Sequence, residues 1–271
     1  MADVYATITD ADPALVAQIA MVLELRAADP QQAAMRQAYL GDIRFPAEAR
    51  VLEVGCGTGA VTRELASWPG VAEVVGLDPS PTFLASARRH HPPGNVQFVE
   101  GDARALQFPD GSFDVVVFHT TLCHVPEPER ALKQAARVLR PGGWLAVFDG
   151  DYATTSVAIG PADPLQACVD GWVSSSVHDP WLVRRLPGLL EAARFVPVRM
   201  RSFGYVETGE ARYVPTIVDR GAAALVAEGR IGGEAAPPSR PRPAAAAPPA
   251  SSSGTSPTPA WWRPSAAEGM P

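Results

Sequence analysis

Cysteine is scarce in this sequence: Cys56, Cys123 and Cys168 lie far apart in 271 residues, with no pair at C-x-x-C spacing. That excludes a disulfide scaffold and a cysteine-built zinc site, and it suits a reducing compartment. Long apolar runs are also missing. No stretch of about 18 apolar residues is available to cross a bilayer, and the opening MADVYATITDADP lacks a basic flank followed by an apolar core. A soluble, cytoplasmic protein is the expectation. Basic clusters are absent too: 23 Lys and Arg against 29 Asp and Glu leave a net charge of −6. No surface for tracking phosphates is expected, so nucleic acid is not an expected partner.

What the chain does contain is apolar material, 46% of its residues, enough for one large core. Two helix patterns come first, 13–27 with Leu15, Ile19, Val22 and Leu23 on one face and 30–40 with Met35 and Tyr39 four apart. After Pro46 the texture changes. Strand-length apolar runs alternate with helical segments: RVLEVG then 60–67, EVVGLD then 81–90, NVQFVEGD then a loop, FDVVVFH then 127–139, and WLAVFDGD after the turn LRPGG. Continuous Val, Leu and Phe runs separated by helices predict an α/β fold, a doubly wound, mostly parallel sheet covered on both faces. Beyond Asp151 the spacing predicts helices over 165–176, 181–193 and 211–227, and the alternating FVPVRMRSFGYVE (195–207) reads as a sixth strand.

The stretch VLEVGCGTG ends the first strand and opens the first helix of the sheet, at the edge where open α/β folds bind ligands. Gly55, Gly57 and Gly59 let the backbone take positive φ and approach a ligand closely. Their G-x-G-x-G spacing differs from the G-x-G-x-x-G dinucleotide fingerprint, which argues against a nicotinamide-dependent oxidoreductase. A tight strand-to-helix turn without a ligand would use the same glycines. About twenty residues on, VVGLDPS ends the second strand on Asp78, where an acidic side chain can meet ribose hydroxyls or cap the next helix. EGDA places Asp102 and the Ala103 amide at the same edge, and Asp102 could equally serve a turn.

Taken together, VLEVGCGTG, GLDPS, EGDA, FDVVVFH and LRPGGWLAV over about residues 45–150 resemble the class I S-adenosylmethionine-dependent methyltransferases, particularly the small-molecule branch related to the ubiquinone/menaquinone biosynthesis enzymes. The resemblance implies a Rossmann-like sheet, S-adenosyl-L-methionine as cofactor, no metal, and a small, apolar methyl acceptor. It implies that Glu53, Gly55, Cys56, Gly57 and Gly59 cradle the cofactor's amino acid end. Asp78, followed by Pro79, would accept the ribose hydroxyls, and Asp102 and Ala103 would meet the adenine edge. His119, ending the fourth strand, would lie near the methyl group.

In-line methyl transfer asks a protein for alignment, electrostatics and, for an oxygen or nitrogen acceptor, a base. His119 and His124 in HTTLCHVPEPERAL are the candidate catalytic residues, because a histidine's ordinary pKa lies near neutrality; each could also be a packed structural residue. Cys123 reads as a small core residue. Asp149, Asp151 and Tyr152 leave the fifth strand toward the same mouth. Residues 1–44 are expected to form a helical cap and 45–231 the methyltransferase domain, with a lid over 153–193 carrying Trp172, His178, Trp181 and Arg184. A non-catalytic cofactor-binding protein, or an inactive remnant of such an enzyme, is the alternative.

From 232 onward the composition turns to Pro, Ala and Ser, too little apolar surface to offset ordering entropy, so a disordered tail is expected. In the resembling fold an antiparallel strand closes the sheet, and nothing here reads as that strand. The codons of Trp261 and Trp262 are unique, and shifting the frame through 251–263 gives a run compatible with an apolar strand. Two readings follow, an out-of-frame ending from about Gly233 or a genuine tail; DNA sequencing across the codons for 231–236 and an intact mass separate them.

Overall fold

Four of the described helices begin on the same two-residue signal, an N-cap side chain that accepts a backbone N–H, followed by proline. Asp12 accepts from Ala14 N at 2.8 Å, Asp29 from Gln32 N at 2.9 Å, Ser80 from Phe83 N at 3.3 Å and Asp163 from Leu165 N at 3.0 Å. Each proline then occupies a position whose N–H would have no partner. These helices are α1 (Pro13–Ala27), α2 (Pro30–Leu40), α4 (Pro81–Arg89) and α6 (Pro164–Ser176). The structure, a computed structural model, describes residues 3–5, 7–208 and 211–232. The tail from 233, with both readings of it, lies outside the described residues.

Five strands form one parallel sheet in the order β3-β2-β1-β4-β5: β1 (Ala49–Val54), β2 (Val71–Asp78), β3 (Val96–Glu100), β4 (Phe113–His119) and β5 (Leu139–Phe148). Successive side chains face opposite layers. Leu52, Val54, Val75, Leu77, Val116 and Phe118 pack beneath α5 (Pro128–Val138), while Val51, Val74, Val115 and Val117 pack with Leu40 of α2 and with α3 (Ala60–Ala66). The chain order reverses between β1 and β4. Such a switch point opens a crevice at the carboxyl ends of the strands.

Three expectations are corrected. On α1 the buried face is Val16, Ile19 and Ala20, with Leu15 left 40% exposed, because the helix lies over α4 rather than the sheet. The LRPGG segment belongs to β5: Phe113 pairs with Leu139 and Val115 with Trp144, so residues 140–143 bulge out of the ladder. Residues 195–207 form no strand and pair with none. Arg199 and Arg201 hold Asp42 and Val206 exchanges hydrogen bonds with Gln31, while Val196, Val198 and Met200 stay more than 70% exposed. A period-two pattern predicts a strand only where another edge lies alongside to receive it.

Helices α6 and α8 (Tyr213–Ala227) pack closely through Gly171 and Gly221; a Cβ on Gly221 would meet the Cys168 carbonyl. Helix α7 (Leu182–Ala192) packs against α5.

Candidate active site

A cavity of about 260 Å³ lies at the switch point. Its floor is the turn after β1, where Gly55, Gly57 and Gly59 all have positive φ (+75°, +51° and +74°). Gly55 N and Cys56 N donate to Leu77 O at 2.7 and 2.9 Å, tying the turn to β2. A Cβ on Gly55 would fall 2.3 Å from the Thr121 side chain, so only glycine lets the chain leaving β4 close over the turn. Gly59 differs from the other two: it does not line the cavity, and a Cβ there would strike the Phe98 ring at 2.6 Å. Its place is helix packing.

Two buried carboxyls stand behind this turn. Asp78 accepts the Gly57 N–H at 2.8 Å and the Ser80 N–H at 2.9 Å, and burial pushes its pKa up to about 6 despite those bonds. Glu53, 2% exposed, bonds the Thr62 hydroxyl. Burial, reinforced by the nearby Asp78, pushes its pKa up to about 8. Both acids line the cavity, as do Pro79, Asp102 and Ala103. Asp102 is also a turn former: its carboxylate accepts from the Arg104 backbone at 2.7 Å and from the Arg104 guanidinium at 2.7 Å, and that guanidinium holds its pKa below the usual range.

His119 closes β4 and His124 lies in the segment that follows it. His119 Nδ1 lies 2.9 Å from the Tyr39 hydroxyl, and its ring stacks on Phe148 at 4.9 Å. Burial, with Arg26 and Arg36 nearby, keeps its pKa well below the ordinary value, so it faces the cavity as a neutral imidazole. His124 also lines the cavity, with Nδ1 2.9 Å from Asp3 Oδ2. Burial raises the Cys56 and Cys123 thiols well above their usual pKa, which disfavours the thiolate form of both.

The roof comes from the N-terminal segment and α1 and α2, through Tyr5, Ile8, Leu23, Arg26, Gln32 and Arg36. None of the lining residues belongs to 153–193. Trp172 packs edge-on against Tyr152, Trp181 lies outside under Arg184, and Arg184 pairs with Asp151; Asp149 holds the Cys123 N–H at 3.1 Å. Sequence reasoning missed Arg26, whose Nη1 donates to Thr120 Oγ1 at 3.4 Å, and Thr120 itself, a β-branched residue at φ +51°. An off-pattern backbone at a strand end accompanies functional sites, but it cannot be read from composition.

Residues 52–147 match a family model described as a methyltransferase domain. Over this stretch the chain resembles the class I S-adenosylmethionine-dependent methyltransferases. Among relatives of this chain, the ubiquinone/menaquinone biosynthesis C-methyltransferase UbiE of Ectopseudomonas mendocina is 44% identical over 105 residues, 37% of this chain and 41% of that protein. The fatty-acid O-methyltransferase of Mycolicibacterium smegmatis is 41% identical over 100 residues, 37% and 36% of the two chains. The matched stretch spans less than half the length of these relatives. The crystal structure of the [4+2]-cyclase SpnF matches this chain in fold, with TM-score 0.54 at 21% identity over 84% of this chain and 83% of that one. Among the described residues no helix is long and apolar enough to cross a membrane.

Proposed function

We propose that this methyltransferase moves the methyl group of S-adenosyl-L-methionine to a small, apolar molecule. One observation carries the reading: a positive-φ glycine turn and the carboxyl of Asp78, on adjacent strand ends, face a single cavity. The cofactor presents ribose hydroxyls, an ammonium, a carboxylate and a flat base. The wall suits each of these. Asp78 keeps acceptor capacity for hydroxyl donors beyond its two backbone bonds, and Glu53 with the turn around Gly55, Cys56 and Gly57 suits the amino acid end. Arg26, which makes no ion pair with a described residue, suits the carboxylate. Pro79, Ala103 and Val125 offer flat apolar contact for the base, flanked by Asp102. When bound, the cofactor supplies the electrophilic methyl group.

On the roof side, Tyr5, Ile8, Leu23 and Phe83 make an apolar surround that favours an apolar acceptor. His124 is the proposed catalytic base and His119 a neutral wall of the cofactor site. Gly59 is proposed as the packing glycine of the turn. Residues 1–44 and 45–231 are proposed as cap and catalytic domain. Three free, buried cysteines suit the cytoplasm, and the acidic charge disfavours nucleic acid.

Calorimetric titration with S-adenosylhomocysteine tests the cofactor site, with saturable micromolar binding expected. Release of S-adenosylhomocysteine that depends on an added acceptor tests the activity. Folded protein that fails to bind would overturn the reading.

A further inference from the structure

Asp3 is the most tightly held carboxyl of the N-terminal segment, its side chain only 2% exposed. Three donors converge on it: Tyr5 N on Oδ1 at 2.8 Å, and His178 N and His124 Nδ1 on Oδ2 at 2.8 and 2.9 Å. Two of these are backbone N–H groups, which can only donate. An ionised carboxylate can only accept, so the third contact requires a proton on His124 Nδ1. The second ring nitrogen, Nε2, then has its lone pair free whenever the ring is neutral. The Tyr5 ring, 4.3 Å from the imidazole centroid, fixes the ring plane, and His124 stands on the cavity wall.

We propose that Asp3 is a positioning residue that holds His124 in the Nδ1–H tautomer, so that Nε2 takes a proton from a hydroxyl or N–H acceptor in the cavity. The inference rests on the methyltransferase reading for its chemistry, but the tautomer stands on geometry alone. In the step, the acceptor's oxygen or nitrogen forms a bond to the methyl carbon as the methyl–sulfur bond breaks. The acceptor's proton passes to Nε2, leaving neutral S-adenosylhomocysteine and an imidazolium paired with the Asp3 carboxylate. An aspartate on Nδ1–H stabilises that imidazolium, and an asparagine in its place inverts the tautomer. The pairing limits the acceptor class to molecules that present an ionisable O–H or N–H.

The other groups around the imidazole are Tyr5, Tyr152 with its ring 6.5 Å away, and Asp149, which is occupied by the Cys123 and Gly150 amides. None of them is placed to hold Nδ1 instead. The test is long-range proton–nitrogen NMR of the full chain labelled with 15N-histidine, at a pH where the ring is neutral, with the His124 signals assigned by their loss in His124→Gln. Wild-type protein is expected to show a protonated Nδ1 and a bare Nε2, the reverse of the form free histidine prefers, and Asp3→Asn is expected to exchange the two. A bare Nδ1 in wild-type protein overturns the proposal whether or not the variant folds, and so does an unchanged pattern in folded Asp3→Asn. A parallel titration of wild-type protein with S-adenosylhomocysteine separates the two ideas: absent binding removes the cofactor reading, and the tautomer answers for Asp3.

Discussion

Asp78, at the end of β2, reaches across to accept the backbone N–H of Gly57 at 2.8 Å, so one carboxyl both shapes the glycine turn and faces the cavity. Replacing it removes an acceptor for ligand hydroxyls and loosens the turn together. Asp78→Ala is expected to weaken S-adenosylhomocysteine binding by about 10 to 100 fold, the scale of one or two hydrogen bonds to a charged group. Unchanged affinity by calorimetry in a cooperatively folding variant would count against the assignment.

The same residue sets a pH dependence. With its pKa pushed up to about 6 by burial, Asp78 is ionised above that pH and protonated below it. A ligand that donates hydroxyls to the carboxylate prefers the ionised form. Affinity for S-adenosylhomocysteine should be flat above the pKa and fall by up to about tenfold per unit below it. Calorimetry across that range in wild-type protein and Asp78→Asn checks this, and the variant should lack the bend.

Glu53 predicts an opposite trend for the stability of the ligand-free protein. Its folded pKa, about 8, lies above the ordinary value of 4.5, so the folded state holds a proton that the unfolded chain releases. Stability is therefore full below the ordinary value and declines as pH rises through that window, by on the order of a few kcal/mol. Denaturant unfolding should show this decline in wild-type protein and a flatter profile in Glu53→Gln.

Gly59 separates packing from binding. An alanine there must hold φ near +74° and press its Cβ against the Phe98 ring. The expected cost is about 1 to 3 kcal/mol in denaturant unfolding. Once the variant is saturably folded, its S-adenosylhomocysteine affinity should stay close to wild type, because the residue lies off the cavity wall.

Arg26 distinguishes the two ends of the ligand. Arg26→Gln should weaken S-adenosylhomocysteine by about 10 to 100 fold through loss of charge-assisted bonds. Adenosine, which lacks the carboxylate, should bind both proteins equally. Equal losses for the two ligands would place Arg26 in the scaffold instead.

How much of this was legible beforehand follows the range of the interactions. The Asp12-Pro13, Asp29-Pro30 and Ser80-Pro81 starts and the GCGTG turn depend on a few adjacent residues, and the parallel sheet follows from apolar runs separated by helices. The strand expected at 195–207 failed for a non-local reason, since pairing needs a second edge that no local pattern specifies. The roof was half legible. Helices α1 and α2 were expected over the site, but the share expected of 165–193 went elsewhere because α6 found its partner in α8. Arg26 looks like any arginine on a surface helix until α1 is laid across the crevice. Asp3 was invisible, because its partner His124 stands 121 positions away.

That separation also bears on the order in which the protein becomes competent. The glycine turn, Asp78 and the sheet belong to the β1–β4 body, whereas the segment before α1 docks through Ile8 and the contacts of Asp3. Segments with few buried contacts open at lower free energy than the body they rest on, and long-range closures form late. An opened segment would leave Asp78 and the glycine turn intact while removing the partner of His124. On the proposed reading, holding the cofactor and reacting with it would be separable properties, and the Asp3 contacts would bear on the second.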